Sequence, residues 1–175
     1  SIPLKEGALW FFGDTLIGRR LPGKSLWYLG DVPVGAADMS GKGGVKKMHI
    51  NTGLVLHDKT GRHGLNNYEY ILDEQGGLKT LIPLWPDEDR DEIRNWCLDG
   101  IELDDRLYLY FIKVRMLEKS EYILPVEFDI IGSGLAVGDS TSWEFERIPA
   151  DGSDIWWKKK QPHFASSVLQ TKDYI

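Results

Sequence analysis

The chain has 175 residues, 42% of them hydrophobic, which suits one domain with a sizeable core and excludes a disordered chain. Its formal charge is -6, and the only basic run is Lys158-Lys159-Lys160, which argues against a nucleic-acid partner. No apolar run approaches the roughly 18 residues that span a bilayer, and a lone Cys97 excludes a disulfide framework.

The chain opens with a hairpin pattern. "SIPLKEGALWFF" (1–12) reads as a short strand, a polar turn and an aromatic strand. That second strand stops abruptly at Gly13-Asp14-Thr15. Residues 19–47 follow as a long Gly-rich loop, and loops of that length on a rigid scaffold tend to be functional. "GKGGVKKM" (41–48) is not a phosphate-binding loop, because Lys46, Lys47 and Met48 stand where Gly-Lys-Ser/Thr is needed. A third strand, "INTGLVLHD" (50–58), and a fourth around "YEY" (68–70) complete one unit. "PDEDRDEIRNW" (86–96) is the one segment with room for a short helix.

The order then repeats. "GIELDDRLYLYF" (100–111) lies over 1–12 at an offset of 99 residues. "IGSGLAVGD" (131–139) lies over 50–58 at an offset of 81, and "WEF" (143–145) follows as "YEY" did. "VLQTKDYI" (168–175) lies over 102–109 at an offset of 66 and opens a third copy. Four antiparallel strands in about 66 residues is the signature of a propeller blade.

The expected fold is therefore all-β: a partial β-propeller of two four-stranded antiparallel blades plus the start of a third, within one domain. Blade 1 covers about 1–85 with the 19–47 loop, blade 2 about 96–160, and the third begins at about 163–175. The first inner strand lacks its beginning and the last strand is cut, so the chain reads as part of a longer propeller. The alternative is a ring closed by several copies, with self-association through uncovered blade faces.

The segment Trp96 to Phe111 resembles the five-bladed propeller glycoside hydrolases of the arabinanase and β-fructosidase clan. "LWFFGDT" (9–15), "HINTG" (49–53) and "GSGLAVGD" (132–139) are similar to a group of bacterial propellers of unknown function. The resemblance implies a carbohydrate partner, inner-strand carboxylates as catalytic groups, and an extracellular or periplasmic location. It requires no cofactor and leaves room for a structural calcium ion. The rival reading is a non-catalytic propeller that binds glycan or protein at a cell surface.

Strand direction selects the rim. Second strands end, and third and inner strands begin, on one side of each blade. That side gathers Asp14 and Asp99 as candidate acids. Arg19, Trp27, His49, Asn51, Trp96 and His163 are the candidate substrate-binding residues. Asp14 has two readings, a turn cap accepting backbone N–H bonds or a substrate ligand. Asp99 reads equally as a turn residue before Gly100, His49 and Asn51 as strand starts, and His163 as a blade-junction residue. Trp27 either stacks on a sugar or anchors its loop. Glu102 reads as an exposed strand acid and Trp156 and Trp157 as outer-strand packing. The opposite rim is expected to carry only short turns and little pocket.

Overall fold

The structure, a computed structural model, describes residues 1–18, 28–29, 32–33, 45–58, 62, 64, 66–117, 127–162 and 166–171. The candidates Arg19, Trp27 and His163, with most of the 19–47 loop, lie outside the described residues.

The chain is all-β. One four-stranded antiparallel sheet is built from β1 (Ile2–Leu4), β2 (Gly7–Phe12), β7 (Thr52–Leu56) and β8 (Tyr68–Tyr70), in that order. Between β2 and β7 run β3 (Thr15–Gly18), β4 (Tyr28–Leu29), β5 (Val32–Pro33) and β6 (Val45–His49). β3 pairs with β6 and prolongs β2 and β7 beyond the sheet as a two-stranded ribbon, tied at its base by a 2.8 Å bond between the hydroxyls of Thr15 and Thr52. The second sheet is β9 (Ile93–Leu103), β10 (Arg106–Met116), β11 (Phe128–Gly138) and β12 (Phe145–Arg147), with the short edge strand β13 (Trp157–Lys158) beside β11. β10, "RLYLYFIKVRM", puts Leu107, Leu109 and Phe111 on its buried face and Tyr108, Tyr110 and Ile112 on a half-buried one, the near-continuous apolar run of a central strand.

The two opening hairpins share one register. Ile2 pairs with Leu9, and 99 residues later Ile101 pairs with Tyr108. Their turns differ in chemistry. Asp104 and Asp105 both take positive φ (48° and 64°), the conformation of a tight two-residue hairpin. In the first hairpin Gly7 absorbs the strain at φ 100°.

Equivalent residues nevertheless bury in opposite directions. Ile2 and Leu9 are 1% and 0% exposed in the shared core, with Leu4 and Phe11 packed beside them. From the second sheet the core takes Leu107, Leu109 and Phe111 instead, so Ile101 and Tyr108 turn to the other face. A rotational array does this, because the leading face of one blade packs on the trailing face of the next. Two sheets facing each other about a two-fold would bury the same residues. Each fully buried Leu or Phe here contributes about 1.5–3 kcal/mol.

The glycine-containing strands are one residue out of step with that repeat. Val55 pairs with Leu9 and Val137 with Tyr108, an offset of 82 rather than the 81 that aligns their sequences. Both glycines leave space for a neighbour. A Cβ on Gly53 would press on Leu81 and Ile71, and one on Gly134 would overlap the Asp154 carbonyl and the Phe111 ring. The local need for glycine, and not strand register, creates the sequence match.

Inner strands run side by side. The backbone N–H of Lys5 donates to Glu102 Oε2 at 2.6 Å, joining the β1–β2 turn to β9. The Val168 N–H donates to Asp99 Oδ2 at 2.7 Å, which ties it to β9, but residues 166–171, expected to open a third blade, form no strand.

Residues 86–92 form turns rather than the expected short helix. Acidic side chains take the backbone donors that a helix would use. Glu88 Oε2 accepts from the Trp85 N–H at 2.7 Å, and Asp89 Oδ1 accepts from the Asp91 N–H at 2.7 Å. This connection delivers Ile71, Leu81 and Ile82 to the core, where all three are buried.

Candidate functional site

The rim where β2 ends and β9 begins brings Asp14, Arg94 and Trp96 together. The Trp96 indole N–H donates to Asp14 Oδ1 at 2.9 Å, and Arg94 Nε lies 3.9 Å from the same oxygen. The turn-cap reading of Asp14 does not describe this. Among the described residues Asp14 accepts no backbone N–H, and its partner comes from the other sheet. Gly13 lies against the Trp96 ring, where a Cβ would sit in ordinary van der Waals contact at 3.4 Å. Burial pushes the Asp14 carboxyl above its usual range, and the Trp96 bond and the Arg94 charge only partly offset that. Trp96 also packs edge-on against Phe128, with centroids 4.8 Å apart, and Phe128 is 40% exposed.

Asn51 is not available to a ligand. It is fully buried, and its amide is spent on backbone: Nδ2 donates to the carbonyls of Ile82 (3.1 Å) and Asn95 (2.9 Å), and Oδ1 accepts from the Ile82 N–H (2.9 Å). It is a bracket between the first sheet, the connection and β9.

Asp99 departs from its expected position. It lies inside β9, not at its start, in a bulge where Leu98 and Asp99 together oppose Tyr110. Both of its carboxylate oxygens are engaged, one by the Gly100 N–H at 2.9 Å and one by Val168. Asp14 contacts Trp96, three residues or about 10 Å away along the strand. The two acids therefore serve separate partners.

His49 pairs with Thr15 in the ribbon and is 5% exposed. Among the described residues its Nε2 has no hydrogen-bond partner. Burial, then the charges of Lys47 and Arg90, pull its pKa down. A cavity of about 270 Å³ opens beside the ribbon, lined by Lys47, Met48, Ile50, Arg90, Asp91 and Arg94. A second, of about 430 Å³, shares Ile50 and Arg90 with it and extends along Pro83, Leu84 and Glu88.

Sequence reasoning missed a buried ion network behind this rim. Lys113 Nζ lies 3.0 Å from both Asp154 oxygens and also pairs with Glu88. Arg147 bonds Glu88 at 2.7 and 3.1 Å, pairs with Asp154, and stacks its guanidinium 4.3 Å from the Trp85 ring centre. Burial alone would raise Glu88, but hydrogen bonds from Arg147, Lys113 and the Trp85 N–H win and bring it down to about 2. Two acids and two bases cancel, which lets the group stay buried. The available signal was Lys113 itself, an ionic residue on the core face of an otherwise apolar alternating strand.

The opposite rim is not the bare edge that was expected. A cavity of about 430 Å³ opens there between the sheets, lined among others by Lys5, Glu6, His57, Glu69, Glu102 and Trp143. Lys5 closes its floor by bonding Glu102 and pairing with Asp105. Trp156 and Trp157 match the packing role read for them. Trp157 lies 6.1 Å from Tyr110 and 5.8 Å from Trp156, whose indole N–H donates to the Ile148 carbonyl at 2.8 Å.

Scanned against protein-family models, curated proteins and solved structures, the chain matches none of them.

Proposed function

We propose that this chain is a glycan-binding propeller domain, with its ligand held at the Asp14–Trp96 rim. One observation carries the reading: a half-buried carboxylate stands next to a partly exposed aromatic pair, Trp96 and Phe128, and Arg94 beside that carboxylate also lines a cavity. Sugar rings need an aromatic face for their apolar side and a carboxylate for their hydroxyls. The raised Asp14 pKa favours an enzyme. Glycoside hydrolysis, however, needs two carboxylates across the scissile bond. Asp99 is committed elsewhere, and the other acids near the rim, Asp89 and Asp91, flank Arg94 rather than Asp14. Binding is therefore favoured over catalysis.

A glycan array followed by titration calorimetry tests this. The protein should bind at least one oligosaccharide, and Phe128→Ala should weaken that binding about tenfold without altering the fold, since Phe128 is 40% exposed. A protein that retains no arrayed glycan overturns the reading. Release of reducing ends from the bound oligosaccharide would restore the hydrolase.

A further inference from the structure

We infer that the cavity beside the ribbon is an oxyanion subsite, built for the carboxylate or sulfate group of an acidic glycan; this deepens the glycan reading and rests on it. The cavity walls supply three cations, Lys47, Arg90 and Arg94, and one acid, Asp91. Arg94 is 4% exposed. One terminal nitrogen donates to the carbonyls of Ile93 (3.0 Å) and Arg90, which fixes the guanidinium in place. Among the described residues its Nε has no hydrogen-bond partner, and the Asp14 oxygen stops 3.9 Å short of it. A buried N–H left unpaired is costly, and the fixed charge of the guanidinium favours an oxyanion in the cavity that Arg94 lines.

Three acids, Asp14, Asp91 and Asp89, act on Arg94 and offset part of its charge, so the exposed cations of the cavity carry the attraction. Arg90 and Lys47 form no ion pair among the described residues, and both side chains are exposed. Their field reaches His49, buried one strand position beyond Met48, where Asp73 opposes it. Two exposed cations beside a fixed, buried guanidinium make a site that draws an anion in and then orients it. A neutral sugar hydroxyl would leave that field unanswered.

The test uses the full chain and three probes: an oligosaccharide bearing uronate or sulfate groups, the neutral oligosaccharide of the same backbone, and sodium sulfate alone. The acidic oligosaccharide should bind at least tenfold tighter than the neutral one. Arg90→Gln should abolish that difference while leaving neutral binding within twofold; its backbone carbonyl, which Arg94 uses, is untouched. Sulfate should raise the melting temperature of the parent protein and not of Arg90→Gln. Equal affinity for acidic and neutral sugars, or a preference that survives Arg90→Gln, overturns the subsite and leaves glycan binding standing. If neither oligosaccharide binds but sulfate stabilises the protein through Arg90, the oxyanion site stands and the glycan reading falls. Sulfate acting equally on parent and variant, with no sugar bound, overturns both.

Discussion

Trp96 donates its indole N–H to Asp14 Oδ1 at 2.9 Å, joining the start of β9 in one sheet to the end of β2 in the other. An apolar strand ends in an acid here because the neighbouring sheet provides the donor. The contact links the packing of the two blades to the candidate ligand site, so variants on either side of it separate stability from binding.

Asp14→Asn should leave the melting temperature nearly unchanged and abolish glycan binding. An amide oxygen still accepts from Trp96, and the desolvated charge disappears, although Arg94 loses a neighbour. Trp96→Phe removes the donor and should lower stability by about 1 kcal/mol in urea denaturation, the usual scale for one hydrogen bond. Normal glycan binding by Asp14→Asn, together with a stability loss, would retire Asp14 as a ligand residue.

The two perturbed acids should respond to pH with opposite signs. Glu88 is depressed from 4.5 to about 2, so its contribution is present above pH 4.5 and lost as pH falls toward 2. Asp14 is raised above 3.8, so it favours the fold when protonated and opposes it as pH climbs through its folded pKa. Denaturation midpoints between pH 2 and 6 should therefore fall steeply on the acid side in the parent protein. The slope should flatten in Glu88→Gln; an unchanged slope would place the acid-labile group elsewhere.

Arg147→Met should be among the most damaging single changes. Arg147 is 7% exposed and bonds both acids of the network. Removing one partner of a buried ionic group leaves a charge uncompensated, at a cost of about 3–5 kcal/mol. A double-mutant cycle with Glu88→Gln measures the coupling. Additive effects would show that the pair contributes nothing beyond its packing.

The opposite burial of equivalent residues gives a mutational signature of the blade arrangement. Leu9→Ala should cost about 2–5 kcal/mol, the range for deleting a core leucine. Tyr108→Ala, at the same place in the next blade but on the other face, should cost less than half of that. Equal losses at both positions would mean the two sheets bury the same face.

Much of the architecture was legible in the sequence. The hairpins at 1–12 and 100–111 were visible because alternation and turn chemistry are local: a polar turn between two apolar strands fixes register without help from the rest of the chain. The repeat then supplied two sheets of four strands. The same reasoning failed where a residue's partner is distant. Nothing local in "RNWCLDG" says that β9 already begins at Ile93, or that Asp99 sits in a bulge holding Val168. "INTG" and "IGSG" match because each strand needs a glycine under a neighbour, which hid a one-residue difference in pairing. Asn51 looked like a rim residue until Ile82 and Asn95 were seen to consume its amide. Alternation and turns determined the strands, the repeat and the rim on which Asp14 emerges. Tertiary packing alone decided which acids are free, because hydrogen-bond partners and buried counter-charges come from segments 30 to 80 residues away.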